Sequence, residues 1–328
     1  MLHPNYRIQT DSTSNENQFD NLVSLLIDLS LDIPSHLFEG YFGRKGESIN
    51  FVKEDQITVS LGYEEELVDV YKGLIDTIDL RLSEFSVLAL SSILKLCNLK
   101  LDRFYEKQNA GYIVNDLCKA AGVSTDIVED GVDLPSYAVD SNKNAYEHIR
   151  FLSYSCGFET YTTNEDKFVF KKYKMENEHK LAYGQDIINF KKLDRVELLK
   201  AVKVVGESPA SIKGADTTHW YTKNMVESVA GNKDKTEISQ ETVLQNKFVK
   251  TTATAADVAL ANLNRLKSMP LALVKIVGNS GIKLCDTVNI EGCPDKSLNG
   301  KFQVRRVRHS FSKQNGFTSI LKCRGVSL

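Results

Sequence analysis

Apolar and polar positions alternate at both ends of the chain. In "ITVSLGY", Ile57, Val59 and Leu61 share one face, and this period of two predicts a half-buried strand. A charged turn follows, "GYEEEL", and then a long strand over Val68–Leu82. Val68, Val70, Leu74, Ile78 and Leu80 have the same parity there, and Gly73 marks a bulge or bend. Upstream, Tyr6–Gln9 reads as a strand and Thr10–Asn21 as a polar loop. "LVSLLIDLSL" (Leu22–Leu31) is almost wholly apolar; it fits a buried strand or a short helix, stopped by Pro34. "FSVLALSSILKLC" reads as a strand running into a short helix.

The period then changes. "AGYIVNDLCKAAGV" places Ile113, Leu117 and Ala120 at helical spacing and closes on Gly122. "VDSNKNAYEHIRFLSYSCGF" repeats the scheme: Asp140 or Ser141 as cap, Ala145, Ile149, Leu152 and Cys156 as the buried stripe, Gly157 as the stop. A hairpin around Asn164–Asp166 follows. Residues 105–175 therefore read as an α/β module between two β-rich regions. Leu198–Gly206 is another strand. Residues 207–247, with Trp220, show no period and read as a loop or arm. "TATAADVALANLNRLKSM" is a helix started by Thr254 and Asp257 and stopped by Pro270. The chain finishes in the strands "LALVKIVG", "DTVNIEG", "KFQVRRVRHSF" and "FTSILKCR".

In "KFQVRRVRHSF" the apolar residues change parity between Val304 and Val307. One extra residue at Arg305–Arg306, a β-bulge, restores a single inward set of Phe302, Val304, Val307, His309 and Phe311. Lys301, Gln303, Arg305, Arg308 and Ser310 then face outward, as do Lys322 and Arg324 on the next strand. The basic face of Lys301, Arg305, Arg308, Lys322 and Arg324 is the candidate assembly interface or lumen face. Its charges would set register and partner choice. His309 is expected to be a packed or hydrogen-bonded core histidine. The chain also echoes itself: "DQITVSLG", a loop and "YKGLIDTIDL" resemble "DTVNIEG", a loop and "KFQVRRVRHSF".

Composition changes this picture little. Apolar residues make up 42% and charged residues 26% of 328 residues, ordinary for folded protein and enough for two or three domains. A net charge of -2 gives no reason to expect specific nucleic-acid binding. Six cysteines without a CxxC pair read as free thiols. The N-terminus lacks the features of a signal peptide, and no apolar run is long enough to span a bilayer, so no membrane partner is expected. The histidines have no metal-ligand spacing, "VGNSGI" lacks the nucleophile-elbow spacing, and no phosphate-binding loop occurs, so neither catalytic residues nor a cofactor is expected.

The ordered set Gly300, Val304, Val307, His309, Ser312, Gly316, Phe317, Ser319 and Leu321 resembles the end of the phage late control D family, the baseplate hubs of contractile tails and injection machines. The upstream helices and strands are similar in order over most of residues 22–328. The resemblance implies a β-rich α+β fold, with two small barrel-like tube domains and an α/β insert between them. The expected organisation is a first tube domain at 1–100, the insert at 101–180, a strand plus polar arm at 181–250, and a helix with the second tube domain at 251–328. It implies a homotrimer made in the bacterial cytoplasm, whose six quasi-equivalent modules join a hexameric tail tube protein to a trimeric spike protein, with other baseplate proteins as further partners. The appended oligonucleotide-fold and β-helix spike carried by type VI secretion spike proteins is missing from this sequence, so the spike is expected as a separate chain. The competing readings are a cell-wall glycan-cleaving enzyme of a tail tip and a stand-alone ligand-binding β protein.

Overall fold

A computed structural model describes residues 3–11, 19–44, 51–193, 200–207, 226–231, 241–267 and 270–326. Trp220 lies outside them. The chain is α+β and β-rich. Twelve strands form one sheet that splits into two halves of six.

The first half contains β1 (Pro4–Thr10), β2 (Leu22–Ser30), β3 (Leu37–Gly43), β4 (Gln56–Tyr63), β5 (Glu66–Leu80) and β6 (Glu84–Leu90). Their order in the sheet is β1-β4-β5-β6-β3-β2. The apolar run at Leu22 is thus a strand, and its alternate residues Leu25, Ile27 and Leu29 are buried.

The insert follows. It comprises α1 (Ile93–Asn98), β7 (Arg103–Asn109), α2 (Ala110–Ala121), β8 (Thr125–Val128), β9 (Asp133–Val139), α3 (Ala145–Cys156), β10 (Phe158–Thr162) and β11 (Phe168–Lys172). Its own core includes Ile113, Leu117, Tyr137, Ile149, Leu152 and Phe170. Gly122 and Gly157 end α2 and α3 with φ of 66° and 69°, left-handed values that suit glycine. The start of α3 differs from expectation. Its cap is Asn144, which accepts from the Glu147 amide while the Glu147 side chain accepts from the Asn144 amide. That reciprocal pair outcompetes the earlier Asp140 and Ser141.

The second half contains β12 (Glu178–Ala182), β13 (Ile187–Leu193), β17 (Leu271–Val277), β18 (Thr287–Glu291), β19 (Gly300–Ser312) and β20 (Gly316–Gly325), in the order β12-β18-β19-β20-β17-β13. A small layer interrupts it: β14 (Ala201–Gly206), β15 (Glu227–Gly231), β16 (Glu241–Asn246) and α4 (Thr252–Leu266). Residues 207–247 are therefore not simply an arm, since two strands flank β14. They are short and only partly buried, so they carry no clear period. α4 is capped by Thr251, whose side chain accepts from Thr254, and not by Thr254 itself.

Numbering the strands of each half in chain order gives one shared order, first-fourth-fifth-sixth-third-second. The irregularities also coincide. β5 departs from β6 between Ile75 and Thr77, and β19 departs from β20 between Val304 and Arg306. The Ile75 amide donates to the Asp55 carbonyl and its carbonyl accepts from Glu54; Val304 makes the same pair of bonds with Asp286 and Cys285. Glu54 and Cys285 hold left-handed φ values of 71° and 66°, rare for residues with a side chain. One difference remains: β1 runs antiparallel to β4, whereas β12 runs parallel to β18.

The bulge expected at Arg305 is present, and Phe302, Val304, Val307, His309 and Phe311 are all buried. Gln303, expected outside, is buried beneath Glu159 of the insert. In β5 the irregularities fall at Val70 and Asp76 rather than Gly73, so Tyr71, Gly73 and Ile75 face the core while Val68 and Leu80 do not. Gly73 is needed because a Cβ there would stand 2.3 Å from the Tyr71 hydroxyl and 2.7 Å from the Leu90 carbonyl oxygen. One apolar core, from Phe38 and Ile57 to Val288 and Leu321, runs through both halves. Neither half closes on itself as a barrel among the described residues.

Candidate assembly interface

The two halves meet where β2 pairs with β19. Arg306 to Ser312 lie antiparallel to Ser30 to Ser24, with Arg308 opposite Asp28 and His309 opposite Ile27. The same edge of β19 serves β18 before the bulge, over Gly300–Gln303. The extra residue at Arg305 lets one strand change partners along one edge, since a bulge bends and twists its strand locally.

Charge concentrates at this junction. Arg306 Nε donates to Asp28 Oδ1 at 2.6 Å, and Arg308 Nη2 donates to Asp28 Oδ2 at 2.7 Å. The Arg306 Nη2 group also bonds Asp28. Burial alone would raise the Asp28 carboxyl, but the two guanidinium groups outweigh it and hold it below the ordinary carboxylate range. Arg305 is turned sideways by the bulge. Its Nη2 donates to Asp32 at 2.9 Å and its Nη1 to Glu159 of β10 at 2.7 Å. Lys322 Nζ reaches Asp32 at 3.0 Å. One cation thus binds the first half, the insert and the second half together, with only 15% of its side chain exposed.

Every residue of the predicted basic face has a partner within the chain. Arg305, Arg308 and Lys322 belong to the network just described. Lys301 Nζ donates to Glu178 of β12 at 2.6 Å. Arg324 donates to the carbonyls of Asn264, Arg265 and Lys267 at 3.0–3.1 Å, which satisfies the C-terminal end of α4. Sequence patterning missed the acids Asp28, Asp32 and Glu159. A signal existed for two of them: Asp28 and Asp32 are the only charges in an otherwise apolar run.

His309 is a core residue as expected. Its Nδ1 lies 2.8 Å from the Ser319 hydroxyl, and burial pushes its pKa down to about 4. Burial pushes the thiols of Cys118, Cys156 and Cys285 up to about 12, which suits packing groups and not nucleophiles. All six cysteines are free. Among the described residues no cluster of metal-ligating side chains occurs, and no helix is long and apolar enough to cross a membrane. A cleft of about 1050 Å³ lies between the insert, α4 and β19, bordered by Arg150, Glu159, Arg265 and Arg324.

This architecture is that of phage tail proteins and of a related secretion component. The structure of the 43 kDa tail protein of prophage MuSo2 from Shewanella oneidensis superposes with a TM-score of 0.72, at 12% identity, over 98% of each chain. A tail protein from Neisseria meningitidis MC58 gives 0.72 at 11% identity, covering 98% of this chain and 96% of that one. An Escherichia coli component of the type VI secretion system, with structural similarity to the bacteriophage T4 tail proteins gp27 and gp5, gives 0.62 at 10% identity over 98% of this chain and 77% of that one. No curated protein sequence matches. A family model described as the Alg8 N-terminal domain matches residues 45–313, and the chain belongs to that family.

Proposed function

We propose that this chain is a structural baseplate hub of a phage tail or contractile injection particle. In this reading three copies join a hexameric tube to a trimeric spike, as the resemblance to late control D hubs implies. The observation that carries it is the internal duplication. Two six-stranded halves with one strand order, the same bulge and the same left-handed residue before it give three copies six comparable modules. Threefold and sixfold partners can then meet on one ring. The fold shared with tail proteins over nearly the whole chain supports the same role.

The basic face belongs to this proposal. Lys301, Arg305, Arg308 and Lys322 are ion-paired to Glu178, Glu159, Asp28 and Asp32, and Arg324 is held by backbone carbonyls, so each cation of a face that lines a lumen or meets a neighbour is fixed in place within the chain. Assembly should bury more than about 2,000 Å² in total between copies, the range of obligate interfaces. Light scattering coupled to gel filtration on the purified chain tests the reading. A trimer is expected; a folded monomer at every accessible concentration overturns it.

A further inference from the structure

The cleft of about 1050 Å³ between the insert, α4 and β19 carries positive charge that the fold does not neutralise. Seven basic side chains line it against four carboxylates. Three of those carboxylates are occupied. Asp32 and Glu159 hold Arg305, and Glu129 holds Lys174 and the Lys172 amide. The fourth, Asp257, stands just over two turns up α4 from Arg265, about 12 Å along the helix axis. Arg150, Arg265 and Arg324 are left without a carboxylate partner among the described residues.

The packing of α3 on α4 groups these guanidiniums. Asn262 donates to the Tyr154 carbonyl at 3.2 Å, which ties the two helices together. Arg150 Cζ then lies 5.1 Å and Arg265 Cζ 4.2 Å from the centroid of the Tyr154 ring. Arg150 donates to the hydroxyls of Tyr146 and Tyr154, and Arg265 donates to Asn262 Oδ1 at 3.1 Å. Arg324 donates to the last carbonyls of α4, whose dipole offsets about half of one charge. All these partners are neutral. A guanidinium has five N–H donors, so each of the three keeps donors for a ligand. Burial lowers the pKa of Arg265 and of Arg324, and neighbouring arginines lower both further.

An anion would relieve this repulsion, and the rest of the lining narrows its kind. Leu260 and Met175, 54% and 50% exposed, also border the cleft, so the ligand that fills it carries aliphatic groups as well as negative charge. Single-stranded nucleic acid binds through rings free to stack on bases and an uninterrupted basic track. The three aromatic rings here are engaged: Tyr154 by two guanidiniums, Phe158 by Phe170 and Tyr173 by the core. Glu159 and Asp257 interrupt the track. A peptide can space its carboxylates to avoid those acids, whereas a phosphate backbone repeats its charge at every nucleotide.

We infer that this cleft binds an acidic peptide segment of a partner protein, with carboxylates on Arg150, Arg265 and Arg324 and an aliphatic side chain against Leu260 and Met175. Guanidinium and carboxylate match each other as paired, parallel hydrogen bonds. Every residue of the site comes from one copy, so the inference goes beyond the hub reading and holds at any copy number.

The test is fluorescence anisotropy on the full chain with a labelled peptide of three Glu-Glu-Leu repeats. It should bind, and the matching Gln-Gln-Leu peptide should bind about tenfold more weakly or worse. Arg265 is exposed, so its replacement leaves the core untouched. Arg265→Glu should weaken binding about tenfold or more, and the milder Arg265→Gln should weaken it in the same direction. Lys53→Glu makes the same charge reversal at an exposed position outside the cleft and should change affinity less than about twofold. No binding by the wild-type chain, or equal losses for Lys53→Glu and Arg265→Glu, overturns the proposal. So does a single-stranded oligonucleotide of equal charge that binds more tightly than the peptide. Dissociation of a wild-type trimer by Arg265→Glu would give the cleft to a second copy and overturn it too. A trimer that ignores the peptide overturns the cleft and leaves the hub reading standing; a monomer that binds it does the reverse.

Discussion

Asp28 offers the most direct measure of what holds the two halves together. Its side chain is 11% exposed and bonded by two guanidinium groups, which are 30% and 40% exposed. Asp28→Asn keeps the shape and removes the charge. Breaking one side of a fully buried ion pair costs about 3–5 kcal/mol. Exposed pairs contribute only about 0–1 kcal/mol. The partly screened arginines place this pair between those limits, at about 2 kcal/mol. Urea unfolding should show that loss as a lower midpoint with an unchanged slope.

A double-mutant cycle isolates the cause. Arg308→Gln and Asp28→Asn together should cost less than the sum of the two, with a coupling of about 1 kcal/mol. pH supplies an independent check. The folded carboxyl titrates below its unfolded value, so its contribution is complete above about pH 4 and is lost as pH falls through the folded value. The deficit of Asp28→Asn should therefore shrink in acid. A deficit below about 0.5 kcal/mol at pH 7, or strict additivity with Arg308→Gln, would refute the account of the junction.

Three other outcomes follow from the same structure. Deleting Arg305 should remove the bulge and turn either Phe302 and Val304 or the downstream core residues to solvent, so the variant should lose cooperative unfolding and the near-ultraviolet circular dichroism of packed aromatics. Burial lowers both His309 and His36 to about 4; the unfolded chain binds the protons first, so each histidine removes about 2 kcal/mol of stability between pH 7 and pH 5. His309→Gln should flatten part of that slope, and an unchanged pH profile would contradict the burial argument. Burial raises Asp166 to about 6 although it accepts the Ser92 amide at 2.9 and 3.1 Å, so its charge opposes folding at neutral pH. Asp166→Asn keeps an acceptor and suits the φ of 60°; it should be neutral or up to about 2 kcal/mol stabilising at pH 7, with no gain at pH 4. A loss above about 1 kcal/mol at pH 7 would count against it.

Legibility in the sequence followed burial. β4, β6, β17 to β20 and the helices α2 and α4 alternate or repeat cleanly because one face meets the core, and the pattern records it. The bulge at Arg305 was readable because it corrects a parity shift among five buried residues. β12 and β13 left almost no trace. "EHKLA" and "IINFKKL" are largely exposed, so hydrophobic periodicity has little to report. The ion network was only half visible. Its cations cluster on one strand, but Asp28 and Arg306 are separated by 278 residues, and no local spacing announces such a pair.

The duplication shows which features of such a module are constrained and which are free. Side chains of the two halves differ almost everywhere, yet the backbone repeats its awkward details. A charged Glu54 and an apolar Cys285 both accept a left-handed φ at equivalent points, although neither residue type favours it. The shared demand is that the next strand must present an amide and a carbonyl to the fifth strand just before its bulge. Hydrogen bonding, and not side-chain chemistry, therefore fixes that conformation. The halves differ in their neighbours: β2 covers β19 beyond its bulge, whereas no strand lies along the equivalent edge of β5 among the described residues. The side chains follow that difference and the backbone does not. Arg308 is ion-paired across the junction to Asp28, while its equivalent Asp79 pairs with Arg81 two residues further along its own chain.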